Sequence, residues 1–201
     1  MNKAIILRVM SYFSLLVIIA ALFFGALAYI QSLSKQQEDG LSIGTSFTLT
    51  NEDNIRVSSN DFKTDYLLVF FGFTNCYGVC PVGMDNITKA LEMLDPKLLN
   101  NLTPLFITID PERDDPEAIK EFLSSYHNNF VGLTGSDIEV QAVIKAFGVY
   151  SSKAEASDKG EYQVDHSAYI YLTKRDGSYV SHSFYNVETS ELVKFFQEYL
   201  G

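Results

Sequence analysis

Apolar residues run almost without a break from Val9 to Ile30, interrupted only by Ser11 and Ser14. At about 1.5 Å per residue, a helix of roughly 22 residues reaches about 33 Å, enough to cross a bilayer. Residues 9–30 are therefore predicted to be a transmembrane helix. Lys3 and Arg8 precede the run, and Gln31–Gly40 after it carries Lys35, Glu38 and Asp39. The positive-inside rule puts residues 1–8 in the cytoplasm and everything after Ile30 outside. Ala26-Leu-Ala28 also resembles the cleavage site of a signal peptide. The apolar run exceeds the usual length of such a peptide's core, which favours an uncleaved anchor. Either way the rest of the chain is exported.

Residues 31–41 read as a polar linker, and 42–201 as one domain. Phe47-Thr-Leu-Thr50 and Ile55-Arg-Val57 alternate apolar and polar around Asn51–Asn54, a hairpin pattern. Tyr66–Phe73 is continuously apolar and rich in β-formers, so it is predicted to be a buried central strand. Pro81 suits the first turn of a helix, along which Met84, Ile87, Leu91 and Leu94 recur at helical spacing until Asp95-Pro96. Pro104–Ile109 is a second buried strand, closed by Asp110-Pro111. A helix follows from Pro116 to about Tyr126, then a short strand over Phe130–Leu133 and a helix carrying Ile138, Ala142, Val143, Ala146 and Phe147. Ser151–Glu161 is polar and reads as an exposed flexible loop. Ala168–Leu172 and Ser178–Phe184 flank a turn at Arg175-Asp-Gly177, and Leu192, Phe195, Phe196 and Tyr199 mark a last helix. Strands alternating with helices predict an α/β sheet with helices on both faces. In such sheets sites lie at the carboxyl ends of strands. The strand ending at Phe73 delivers Cys76 and Cys80 to that edge, and the strand ending at Ile109 delivers Asp110.

Composition changes this picture little. At 47% hydrophobic the 201 residues are not a disordered chain. A net charge of -10 argues against nucleic acid or anionic lipid as partners. The chain has only two cysteines, Cys76 and Cys80. A disulfide closing so small a loop adds little stability, so the pair reads as a site and not a staple.

A thiolate at a helix start is stabilised and reactive. Two adjacent thiolates are soft ligands of the kind that select monovalent copper, and an imidazole is a good third ligand for copper in either oxidation state. Zinc is less well served, since a structural zinc site takes four protein ligands and no fourth is evident. Of the three histidines, His127 reads as a solvated helix end and His182 as a surface or packed strand residue. His166 sits where a polar loop leads into a strand, and the residues alone leave open whether it is structural or a ligand. Met84 reads as core, although its thioether is one turn from Cys80. Asp110 either faces the site from its strand end or, the favoured reading, caps the turn before Pro111 or orients nearby backbone. Asp165 either holds His166 in its ligating tautomer or points to solvent. Tyr77 is either a partner contact or loop filler.

Phe71-Gly-Phe-Thr-Asn-Cys-Tyr-Gly-Val-Cys-Pro81, Asp110-Pro-Glu-Arg-Asp-Asp-Pro116 and Val164-Asp-His-Ser167 together resemble the Sco/SenC family over about Leu41–Gly201. That family consists of membrane-anchored copper-binding proteins that help to assemble the copper centre in subunit II of cytochrome c oxidase. The resemblance implies a thioredoxin-like fold, a copper metallochaperone with thiol-redox character, and monovalent or divalent copper held by Cys76, Cys80 and His166. It further implies cytochrome c oxidase subunit II and a copper donor protein as partners. Two positions depart from the family pattern: Tyr77 stands where proline is usual, and Asp115 where threonine is common. The alternative is an exported thiol–disulfide reductase using Cys76 and Cys80 as its redox pair. Such reductases resemble CxxC with a proline at the facing strand, whereas this chain has CxxxC and His166-Ser167. A peroxidase would need an arginine in the thiol pocket, and the sequence places none there. The chain shows no Arg-rich presequence, so the expected location is a bacterial inner membrane with the domain in the periplasm, in preference to a mitochondrial one.

Overall fold

The computed structural model describes residues 12, 20, 23–27, 43–154 and 162–201. The chain forms two compact units, Met1–Ser42 and Ile43–Gly201. The described residues of the first are helical. Among the described residues no helix is long and apolar enough to cross a membrane; the predicted span at 9–30 lies largely outside them.

The second unit is built on strands β1 (Thr48–Asn51), β2 (Arg56–Ser58), β3 (Tyr66–Gly72), β4 (Leu102–Thr108), β5 (Val131–Thr134), β8 (Tyr169–Lys174) and β9 (Tyr179–Phe184). These make one mixed sheet in the order β2-β1-β5-β4-β3-β8-β9. Strands β3, β4 and β5 run parallel, while β1, β8 and their hairpin partners pair antiparallel. The helices are α1 (Val79–Glu92), α2 (Pro96–Leu99), α3 (Pro116–Leu123), α4 (Asp137–Ala146) and α5 (Thr189–Leu200). Strands β6 (Ser151–Lys153) and β7 (Val164–His166) form a separate two-stranded ribbon.

The apolar runs at β3 and β4 are explained by burial on both faces. Phe70 and Phe106 are register partners and share one face. There Gly83 of α1 lets the helix approach the Phe70 ring so closely that a Cβ would lie 2.6 Å from it. Phe122 of α3 packs on Phe106 at 5.0 Å. On the opposite face Phe71, Phe147 and Tyr171 meet edge to face at 5.2–5.9 Å. The predicted α/β architecture, a central mixed sheet flanked by helices, is present.

Three local expectations change. Asp95-Pro96 ends the pattern of α1 but also starts α2, with the Asp95 carboxylate accepting from the Lys97 N–H at 2.8 Å. The helix predicted to open at Pro81 opens at Val79, which puts Cys80 inside its first turn. The loop read over Ser151–Glu161 is in part strand. Ser151, Ser152 and Lys153 pair with His166, Asp165 and Val164, while residues 155–161 lie outside the described ones. A three-residue polar strand on an exposed ribbon needs no apolar alternation, so its pattern looks like a loop.

The topology decides where chemistry collects. Parallel strands β3 and β4 end at the same edge, at Gly72 and Thr108. Strand β8 is antiparallel to β3, so its first residues lie at the edge where β3 ends. Three segments distant in sequence (the cysteine loop, the Asp110 turn and the ribbon before β8) therefore converge.

Candidate metal centre

After β3 the chain turns at Phe73, whose carbonyl accepts from the Cys76 N–H at 3.2 Å. Gly78 precedes α1 and offers no side-chain cap, so the first helical N–H groups need acceptors. One finds a sulfur: the Cys80 N–H points to Cys76 Sγ at 3.5 Å. Cys80 is fully buried. Gly72 makes its room, because a Cβ there would sit 2.8 Å from Cys80 Sγ and 2.8 Å from the Phe106 ring.

His166 closes the group. Its Nε2 lies 3.6 Å from Cys80 Sγ, and its Nδ1 donates to the Ser167 carbonyl at 2.9 Å. A carbonyl can only accept, so Nδ1 carries a proton and Nε2 is the nitrogen presented to the sulfurs. As imidazolium it donates to a thiolate; as neutral imidazole it offers a lone pair. The ligand atoms of Cys76, Cys80 and His166 all lie within 4.8 Å of one another. No other histidine, cysteine or carboxylate joins that cluster among the described residues.

The two sulfurs are unlike. A hydrogen bond from the Cys80 thiol pulls the Cys76 pKa down to about 3, against the opposing effect of burial. The His166 imidazole and the N–H groups of Cys80 and Gly78 act in the same direction. Cys80 is pushed far up, by its hydrogen bond to Cys76, by burial and by the neighbouring negative charge. The pair therefore holds one proton and one charge, with the charge on Cys76. A cavity of about 500 Å³ opens beside it, lined by Cys76, Gly78, Val79, Tyr150, Gln163 and His166 among others.

Behind these three residues stands the turn after β4. Asp110 is fully buried and binds two groups: Arg113 Nε donates to Oδ2, and the Tyr162 hydroxyl donates to Oδ1 at 2.8 Å. The sequence reading that favoured a turn cap for Asp110 missed these two partners, although the Arg113 and Asp114 N–H groups do donate to its carbonyl. Arg113, which sequence reasoning did not place, lies over Phe73, with its guanidinium carbon 5.6 Å from the ring centre. Phe73 in turn meets the His166 ring edge to face at 6.1 Å. Asp114 is also buried; it accepts from the Thr74 N–H at 3.0 Å, the Thr74 hydroxyl at 2.6 Å and the Thr108 hydroxyl at 2.6 Å. Burial pushes its carboxyl pKa up despite those donors. The sequence signals for Asp110, Arg113 and Asp114 were the Asp110–Pro116 motif that all three share and, for Asp110, its place at the end of a buried strand.

The other candidates lie elsewhere or do less. His127 Nδ1 accepts from the Asn129 N–H at 3.2 Å, in the turn after α3. His182 packs on Tyr169 at 5.1 Å on β9. Met84 is fully buried within the core. Asp165 is exposed, and the Ser167 carbonyl orients His166 instead. Tyr77 is 83% exposed between the cysteines. Two sulfurs, one imidazole and no fourth group are a poor set for structural zinc and a good one for copper.

The sequence profile described as SCO1/SenC matches residues 35–201. The chain belongs to the SCO1/SenC family. An SCO2-like protein of Rickettsia prowazekii is 32% identical over 161 residues, which cover 80% of this chain and 78% of that one. The copper-bound structure of ScoI from Bradyrhizobium japonicum superposes with a TM-score of 0.71 at 35% identity, covering 79% of this chain and 99% of that one. BsSco, in which a disulfide switch was identified, is described as a member of the Sco family of cytochrome c oxidase assembly proteins. It matches at TM-score 0.61 and 25% identity, over 80% of this chain and 95% of its own. Within the Sco family, then, copper-bound forms and a thiol-based switch are both known.

Proposed function

We propose that this Sco protein takes up copper as cargo through Cys76, Cys80 and His166, and passes it on during assembly of the copper centre of cytochrome c oxidase subunit II. The observation that carries the reading is the convergence of two sulfurs and one imidazole nitrogen within 4.8 Å at the mouth of an open cavity. Cys76 is already a thiolate at neutral pH and accepts a soft cation without first losing a proton. Cys80 gives up its proton on binding, and His166 presents Nε2 because Ser167 holds Nδ1. Copper bound there would have three ligands and remain reachable by the donor that loads it and the acceptor that removes it. The sequence supports an anchor at 9–30 in the inner membrane, with 31–41 as tether and 42–201 as the copper-binding domain on the periplasmic side.

The test uses the full chain in detergent. Reduced protein is expected to bind one monovalent copper per chain, and protein oxidised to the Cys76–Cys80 disulfide none. His166→Ala is expected to bind roughly tenfold or more weakly. Equal uptake by oxidised and reduced protein would overturn the reading.

A second reading, thiol–disulfide reductase, is favoured by the asymmetry of the pair. The Cys76 thiolate would attack a target disulfide, breaking its S–S bond and releasing one target thiolate. Cys80 would then lose its proton and attack Cys76 Sγ, releasing the second thiolate. The target gains two electrons, and the protein is left as the disulfide. The two readings separate in copper-free buffer, where only a reductase reduces a peptide disulfide stoichiometrically. His166→Ala leaves that reduction possible while it weakens copper binding.

A further inference from the structure

The ribbon that carries His166 is not a member of the main sheet. Strands β6 and β7 pair only with each other, so β8, which begins three residues after His166, brings the ribbon to the right edge, but no ladder of the main sheet runs through His166 itself. Besides the packing of Val164 in the core and the contacts of His166 itself, three polar contacts tie the ribbon and its flanks to the rest of the site. Two are exposed: Lys153 to Glu112 at 2.7 Å, and Gln163 Nε2 to the Asn75 carbonyl at 3.3 Å. Exposed ion pairs hold little. The third joins Asp110, which is fully buried, to Arg113 and Tyr162, which are partly buried.

We propose that Arg113 and Tyr162 are positioning residues that fix His166 over the cysteine pair. Arg113 grips Tyr162 twice. Its Nη1 donates to the Tyr162 carbonyl at 3.0 Å, and its guanidinium lies 3.7 Å from the centre of the Tyr162 ring. Its Nε is held by Asp110, which also accepts from the Tyr162 hydroxyl. Tyr162 is four residues before His166, at the start of the segment that becomes β7. The same guanidinium stands over Phe73, whose ring meets that of His166. One planar cation thus bridges the chain leading to the histidine and an aromatic wall of its pocket. Lysine offers a point charge without the fork or the stacking plane, and cannot make both contacts.

This rests on the reading that Cys76, Cys80 and His166 hold copper. Arg113→Lys is expected to lower affinity for monovalent copper about 10- to 100-fold, the usual effect of removing support from a metal ligand. In a His166→Ala background the same substitution is expected to cost nothing further, because its effect passes through the imidazole. X-ray absorption of copper-loaded Arg113→Lys is expected to show less imidazole scattering with sulfur ligation kept. Equal losses in both backgrounds would mean that Arg113 acts on the fold at large, and an unchanged affinity would mean that it does not act; either overturns the proposal. Tyr162→Phe, which keeps the ring and removes one hydroxyl, carries the same cycle if Arg113→Lys fails to fold. If His166→Ala costs nothing in the parent protein, the copper reading itself fails. Hydrogen exchange on metal-free protein then decides the positioning role. Arg113→Lys is expected to speed exchange at the Ala154 N–H, which closes the ribbon on the Gln163 carbonyl at 2.8 Å, and to leave β3 unchanged; unchanged exchange at Ala154 overturns it.

Discussion

Three residues separate Cys76 from Cys80 and both are buried, yet one sulfur is a thiolate and the other a thiol. The cause is local: Cys76 lies outside the helix and accepts from the Cys80 thiol and, more weakly, from N–H groups at the helix start, while Cys80 is carried inside against Gly72. Lowering a thiol from about 9 to about 3 keeps it ionised at every pH above that value. Iodoacetamide is therefore expected to label Cys76 at nearly the same rate at pH 8 and pH 5, whereas an unperturbed thiol slows about tenfold per unit below its pKa. Cys80 stays unlabelled in the native protein across that range. Mass spectrometry of digested samples reads both, and a steep fall in Cys76 labelling towards pH 5 would contradict its assigned state. Gly72 was legible as part of a strand. Its need to be glycine was not, since the sulfur it accommodates arrives from the next helix.

Among the elements, the short turn after β4 does more than connect. Through Asp114 it holds the cysteine loop at Thr74, and through Asp110 and Arg113 it holds the ribbon at Tyr162. Asp114→Ala would leave the Thr74 N–H and the hydroxyls of Thr74 and Thr108 without their acceptor. Stability is expected to fall by about 1–3 kcal/mol, read as a lower urea midpoint with unchanged slope. A variant as stable as the parent would show that water replaces the carboxylate. Sequence patterns exposed β3, β4 and α1 clearly because burial on one or both faces dictates their apolar spacing. They did not expose β6. Three polar residues paired on an exposed ribbon leave no periodic trace.

For the whole domain, the three ligands come from two ends of the chain's order, 86 residues apart between Cys80 and His166. Binding a cation to all three joins segments that are distant in sequence. At a free copper concentration about a thousandfold above Kd, linkage adds about 4 kcal/mol to the folded state. For a domain of this size that corresponds to a rise in Tm of about 8–16 °C. Scanning calorimetry of reduced protein with and without monovalent copper measures it. A Tm that stays constant would show that copper does not bind the native site. The same addition to the disulfide form is expected to leave Tm unmoved.

By itself the sequence determined the α/β class, the buried strands, the existence of α1 and the identity of the soft donor pair. Each of these is local: periodicity, turn residues and neighbouring cysteines act within a few residues. His166 was singled out by a family motif, not by any local rule. Only the tertiary structure decided that its Nε2 stands over Cys80, that Asp165 does not orient it, and that Arg113 and Tyr162 support it. Those relations depend on parallel strands ending together and on β8 running against β3. A one-dimensional pattern records which residues are buried, but not which distant segments a sheet's topology brings to the same edge.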